Sequence, residues 1–382
     1  MDPSKRLFVF GCGALALSGC SPATIGEAPA RRAQQALAPD LLPVDRADFR
    51  AWVAAFRPRA RRAGIRDATF DAAFAGAGYI PGVVARDGSQ IQTRRTFEDY
   101  LSIATSDERL TKGRAALARH GGTLQAIEAR YGVDRLIVAA IWGMESTFGE
   151  KRGQIPVISS TATLAFDGRR GAFYESQLIA ALRILQRGDT TPARLTGSWA
   201  GAMGHTQFIP TSFEGFAVDF NGDGRRDIWA DDPGDALAST ASYLSRNGWR
   251  AGLPWGAEAG TAGISGRSVR PQSGGPSFTV TRNFNVLKTY NNSDFYALAV
   301  GHLADRLGGT GPLRGTFPPD ANGLTRNDRL AVQRGLAARG YDIGTIDGVI
   351  GARTEAAIRD VQSRAGVAVT GTATRDVLTL LR

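Results

Sequence analysis

The chain has 382 residues, enough for two domains and a tether, and 43% of them are hydrophobic, enough to fill a core. Forty-six lysines and arginines against 36 acids give a formal charge of +10, which suits a polyanion, whether nucleic acid, an anionic membrane face or a carboxylate-rich wall. The basic residues fall in short groups such as Arg59–Arg62 and Arg169–Arg170, so no nucleic-acid partner is expected; two cysteines, both within the first twenty residues, and three scattered histidines argue against a disulfide, a thiolate metal site or a zinc hydrolase.

Lys5 and Arg6, the apolar run Leu7–Leu17 and then Leu17-Ser18-Gly19-Cys20 read as an export signal over residues 1–20, too short to span a bilayer. Leu-Ser-Gly-Cys resembles a bacterial lipobox. That resemblance implies cleavage before Cys20 and lipid on its sulfur and amine. With Ser21 in place of an aspartate next to it, the implied location is the outer membrane, facing the periplasm. An ordinary secretory signal with an incidental cysteine is the alternative. Residues 21–44, rich in alanine, proline and arginine, read as a flexible tether.

From residue 45 to 307 the pattern is mainly helical. Phe49, Trp52, Val53 and Phe56 fall at helical spacing until Arg57-Pro58 interrupts them, and Phe97, Tyr100 and Leu101 mark another helix. Leu124, Ile127 and Tyr131 lead into Gly132–Glu150, where Leu136 to Met144 is apolar all round, as in a buried helix. Asp134 is placed to cap its start, while Ser146, Thr147 and Gly149 look like its finish. Glu145, the only acid between Asp134 and Glu150, then lies in the last turn, beside Ile141 and Trp142 one turn back. The helix dipole and the apolar cover both raise a carboxyl pKa, which is how a general acid is made; a solvated glutamate at a frayed helix end is the alternative. Ser265–Val269 and Ser277–Leu287 alternate in the manner of strands, so a small β insertion is expected before helix resumes at Ala297–Leu307.

Residues 308–325, rich in glycine and proline, read as a linker. Residues 326–382 contain two loosely similar pieces, VQRGLAARGYDIG and VQSRAGVAVTG, each a helix followed by a glycine turn. Leu330, Leu336, Tyr341, Ile346, Ile358, Val361, Leu378 and Leu381 would supply a minimal three-helix core.

Three segments together carry a resemblance. IWGMESTFG, GSWAGAMGHTQFIPTSFEGFAVDFNGDG at Gly197–Gly224 and TYNNSDFYALAV at Thr289–Val300 resemble the lytic murein transglycosylase B family of peptidoglycan-cleaving lyases. The implied fold is mainly α: a lysozyme-like catalytic domain over residues 45–307 with a small β insertion, plus a C-terminal three-helix module. The last 57 residues resemble the peptidoglycan-binding domain type 1 through Val332-Gln333, Gly340-Tyr341, Ile346-Asp347-Gly348, Gly351, Thr354 and Val361-Gln362.

By this resemblance Glu145 matches the family's single catalytic acid. Ser198, Gln207, Tyr243, Asn291 and Tyr296 match residues lining the saccharide groove, and Arg169 and Arg170 match basic residues able to meet the substrate's peptide carboxylates. Tyr100 takes the family's tyrosine position, with an ordinary packed tyrosine as the alternative. Without the resemblance Ser198 reads as a helix cap, Gln207 as a turn residue, and Tyr243 and Tyr296 as core.

The implied reaction needs no cofactor. Glu145 protonates the glycosidic oxygen leaving N-acetylmuramic acid, the sugar's acetamide stabilises the cation, and Glu145 then takes the proton of the 6-hydroxyl as a 1,6-anhydro ring closes. Most glycosidases use two carboxylates, and no second acid stands out beside Glu145. The implied partner is the glycan strand of peptidoglycan, the implied state a monomer in the periplasm, lipid-anchored to the outer membrane. A water-using muramidase and a non-catalytic wall-binding scaffold are the competing readings.

Asp219, Asn221 and Asp223 stand at positions 1, 3 and 5 of an EF-hand-like loop, with Gly224 at 6, Arg225 at 7 and Asp227 at 9. Position 12 is Ala230, and the resemblance implies that Asp235 closes a lengthened loop instead. A structural calcium is expected here, with an Asx-rich turn lacking metal as the alternative.

Overall fold

The computed structural model describes residues 37–88 and 96–382; the signal segment with Cys20, and most of the expected tether, lie outside them. In chain order the helices begin with α1 (Ala47–Arg62), α2 (Asp67–Phe74), α3 (Pro81–Gly88), α4 (Phe97–Ala104), α5 (Asp107–Tyr131) and α6 (Arg135–Ser146). There follow strand β1 (Ile155–Pro156), α7 (Val157–Asp167), α8 (Gly171–Arg187), β2 (Thr196–Gly197), α9 (Pro210–Phe216) and α10 (Gly234–Arg246). Strands β3 (Gly256–Glu258), β4 (Arg267–Val269) and β5 (Phe278–Val280) precede α11 (Arg282–Tyr290) and α12 (Asp294–Leu307), and α13 (Arg326–Ala338), α14 (Ala352–Arg364) and α15 (Arg375–Leu380) end the chain.

The described residues divide into two compact units, each discontinuous in sequence: residues 37–88 with 152–236, and residues 96–151 with 237–382. In the first, α7 packs on α8, and Ile80, Val83, Ile155, Leu164 and Tyr174 form a buried cluster under Trp52, Phe173 and Trp199. Helix α1 runs through Pro58, where the sequence suggested a break. The ring of Pro58 removes one donor, but Trp52 stacks on Phe56 at 5.4 Å, Phe56 meets Phe70 at 6.0 Å, and Arg57 reaches Asp67 and Asp71 of α2. Packing of the turn before the proline, with its contacts to α2, offsets the missing bond.

In the second unit α6 lies between α5 and α12, and α4 and α11 also pack on α12. The β insertion is an antiparallel sheet in the order β3-β5-β4, pairing Glu258 and Val269 with Phe278. Its last strand ends at Val280, and Thr281 then caps α11 by accepting from Asn283 N, so the stretch to Leu287 expected as strand is helix.

Helices α13, α14 and α15 enclose a core of Val332, Leu336, Ile358, Val361, Val377, Leu378 and Leu381, while Ile346, expected inside, is 41% exposed. The two similar sequence pieces have one physical job. Buried Gln333 accepts from Asp347 N and Gly348 N, and buried Gln362 accepts from Thr370 N and Gly371 N, so each glutamine satisfies the backbone of a tight turn. The expected linker is also tied down within this unit. Glu258 accepts from Arg314 N and Gly315 N, Phe317 packs on Phe97 at 6.1 Å, and buried Arg329 ion-pairs with Glu98, Asp99 and Asp320.

Candidate active site

Helix α6 forms as its sequence dictates. Asp134 accepts from Leu136 N at 2.7 Å to cap the start, and Ile137 to Met144 are buried on every side. Its end is unusual: Thr147 and Phe148 both take left-handed backbone angles (φ 52° and 56°) before Gly149, a costly pair for residues with side chains. They turn the Phe148 ring back onto the helix, where a Cβ at Gly143 would come within 2.5 Å of it and one at Gly113 within 2.8 Å. The two glycines therefore make room for the ring, and the folded-back chain holds Glu145 in the last turn.

From α12, Tyr296 donates its hydroxyl to Glu145 Oε1 at 2.7 Å. Ser293 accepts from Tyr296 N and so starts α12 three residues before the ring. Burial, and after it the Glu145 charge, push the Tyr296 phenol well above the usual tyrosine range, so it stays a donor. Tyr290 stacks parallel to Tyr296 at 6.4 Å, and Tyr243 meets Tyr290 edge-on at 5.1 Å while donating to Thr289 O at 2.6 Å. At 2% and 7% exposure Tyr296 and Tyr243 are both buried, Tyr296 against Glu145 and Tyr243 behind Tyr290. Asn291 ends α11 half-buried, and Tyr100 on α4 is half-buried against Phe295 at 6.0 Å.

Ser198 and Gln207 belong to the first unit, on a loop held by bridges Gly197–Met203 and Met203–Phe208. Ser198 Oγ accepts from Ala202 N at 3.1 Å. Gln207, buried and left-handed (φ 54°), donates its amide to Gly204 O and Arg152 O. Gly204 (φ 69°) is required there, since a Cβ would sit 2.3 Å from Ile228 O. Arg169 and Arg170 have a partner the sequence did not announce: buried Asp87, which accepts from Arg169 Nε at 2.6 Å and Arg170 Nη2 at 2.5 Å. One carboxylate for two guanidinium groups leaves a net positive charge.

The acidic loop closes on Asp235, which accepts from Phe220 N and Asp227 N at 2.8 Å. Burial lifts the Asp235 carboxyl above the usual range despite these donors. Asp219 accepts from Gly222 N and Gly224 N, Asn221 from Asp223 N, and Asp223 from Arg225 N. Among the described residues no group of three or more His, Cys, Asp or Glu is gathered as metal ligands, because these oxygens face backbone N–H groups. The donor chemistry nevertheless fits a hard cation: three carboxylates, an amide oxygen and the Arg225 carbonyl. A second anchor, absent from the sequence reading, is the buried pair Arg226–Asp189, with Nη2 to Oδ2 at 2.5 Å.

The transglycosylase SLT domain family matches this sequence over residues 48–270 and 260–305, and a peptidoglycan binding domain family matches residues 325–381. The chain belongs to the transglycosylase SLT domain family. This SLT-family chain is 31% identical over 212 residues to membrane-bound lytic murein transglycosylase B of Escherichia coli (strain K12), a match covering 46% of this chain and 58% of that protein. Two structures of SltB3 from Pseudomonas aeruginosa, in complex with NAG-anhNAM-pentapeptide and with NAG-NAM-pentapeptide, are similar over 87% of this chain and 99% of theirs. Their sequence identities are 45% and 46% and their TM-scores 0.68 and 0.69. The fold is the one the resemblance implied, a mainly α SLT domain with a small sheet and a C-terminal helical module.

Proposed function

We propose that this protein is a lytic transglycosylase that cleaves the β-1,4 bond between N-acetylmuramic acid and N-acetylglucosamine in peptidoglycan, leaving 1,6-anhydro ends, in wall turnover or remodelling. The observation that carries this reading is Glu145 at the end of a buried helix with a buried phenol donating to one of its oxygens. Such a carboxyl is oriented by the phenol that donates to it. It gives a proton to the leaving oxygen and takes one back from the 6-hydroxyl, with no water consumed. The similarity to SltB3, which holds an anhydromuramoyl peptide in one complex, supports the reaction class.

Ser198, Gln207 and Asn291 would hold acetamide and hydroxyl groups, Tyr100 would line the groove, and Arg169 and Arg170 would meet peptide carboxylates through the charge left after Asp87. The protein would act as a monomer in the periplasm, its C-terminal module (326–382) on the wall, tethered through residues 21–44 to lipid at Cys20 on the outer membrane, with residues 219–235 clamped by calcium. E145Q should abolish cleavage of sacculi, about a thousandfold or more, and still bind them. Mass spectra of wild-type digests should show products lighter by one water than hydrolysis gives; reducing ends would establish the muramidase instead, and undiminished digestion by E145Q would remove Glu145 from the chemistry.

A further inference from the structure

Arg109 occupies a place that an arginine should avoid. It is the third residue of α5, where Ser106 Oγ accepts from its N–H, so its cation lies at the positive end of a helix dipole. The side chain is half-buried, and burial pulls its guanidinium below the usual arginine range. No carboxylate compensates: among the described residues Arg109 makes no ion pair, and its one side-chain bond is from Nη1 to the Met144 sulfur at 3.1 Å. Glu108, the nearest acid acting on it, is engaged by Lys112 at 2.6 Å. Arg170, Arg226 and Arg329, of similar or greater depth, each meet a carboxylate. The Arg109 Nε and Nη2 groups donate to no described residue, and neither is sealed in the interior.

Its neighbours give the place meaning. Met144 directly precedes Glu145, and the Tyr100 phenol lies within electrostatic reach of both Arg109 and Tyr296, the donor to Glu145. Arg109 thus touches the residue that precedes Glu145, within the same unit as that carboxyl.

We propose that Arg109 is a substrate-binding residue that takes a carboxylate of the peptide carried by the muramoyl sugar, and so makes the enzyme prefer stem-bearing over peptide-free strands. This rests on the reading of Glu145 as the acid of a peptidoglycan lyase. The geometry suits it: two parallel N–H groups match a carboxylate, and a desolvated guanidinium holds one more strongly than an exposed one. The uncompensated charge is then completed by the substrate.

The test uses the full-length protein made inert by E145Q, titrated calorimetrically with a muramoyl disaccharide carrying a pentapeptide and with the same disaccharide lacking it. E145Q should bind the stem-bearing ligand about tenfold more tightly. Adding R109M should reduce that preference severalfold, leaving what Arg169 and Arg170 contribute, with the peptide-free affinity unchanged and R109K restoring part of the loss. Because R109M removes an unpaired half-buried charge, its melting temperature should equal or exceed that of E145Q alone. A melting temperature that falls while both affinities drop equally would make Arg109 a structural residue and overturn the proposal, as would an undiminished preference. If E145Q binds neither ligand, the lyase reading fails first and takes this one with it; a peptide-blind E145Q that binds both ligands equally overturns the Arg109 proposal alone.

Discussion

The contact between Tyr296 and Glu145 makes a sharp prediction about pH. Y296F deletes one hydroxyl, keeps the ring stacked on Tyr290, and leaves Glu145 Oε1 without its 2.7 Å donor. A hydrogen bond to a charged acceptor is worth about 1.5–3 kcal/mol, and this donor is 2% exposed, so water cannot readily replace it. The sign follows from which form the phenol favours. It donates to the carboxylate, so its loss disfavours the charged form, and Glu145 keeps its proton to higher pH. The alkaline limb of kcat/KM should therefore move up by about one to two pH units. At the wild-type optimum, kcat should fall, because the second half of the reaction needs the carboxylate as a base. The assay is release of anhydro-ended fragments from a soluble glycan across pH, with melting curves to show that the variant is folded. An unmoved limb, or one that moves down, would refute the claim that Tyr296 stabilises the charged acid.

Calcium added to metal-depleted protein should raise the melting temperature, and chelation should reverse it. At a hundredfold excess over its dissociation constant a ligand stabilises by about 2.7 kcal/mol; identical melting with calcium and with chelator would exclude the clamp. C20A should move the protein from the membrane fraction to the soluble periplasm, and continued sedimentation with membranes would count against the lipid anchor.

What was legible in the sequence was what periodicity and capping control. Asp134, the apolar run and the glycines around Glu145 specify α6 and its end by local rules, and the structure shows the same cap and the same last turn. The paired Val-Gln pieces likewise revealed a repeat whose glutamines each fasten a turn. Partners distant in sequence were not legible. Asp87 lies more than eighty residues before the arginines it holds, and Arg329 meets Glu98 across 231 positions, so no window of sequence contains either pair. Pro58 misled for a related reason: its local penalty was visible, while the aromatic contacts that offset it come from α2. Tyr243 and Tyr296 read in the sequence either as groove-lining or as core residues, and their burial is set by partners distant in sequence.

On the proposed reading of Glu145 as the acid, both kinds of information are needed. The features readable from the sequence, a helix C-terminus and apolar neighbours, favour the protonated carboxyl; the feature supplied by the fold, a phenol from α12, favours the charged one. A residue that must serve first as acid and then as base gains from such opposed influences, since either alone would fix it in one role. The helix end and its greasy cover suit the first proton transfer, and the phenol suits the second, after the glycosidic oxygen has left. Because the phenol is held by Ser293 at the start of α12 and backed by Tyr290 and Tyr243, that balance is set by packing well behind the reacting atoms. Changes in the tyrosine stack should therefore register in the pH profile before they register in substrate affinity.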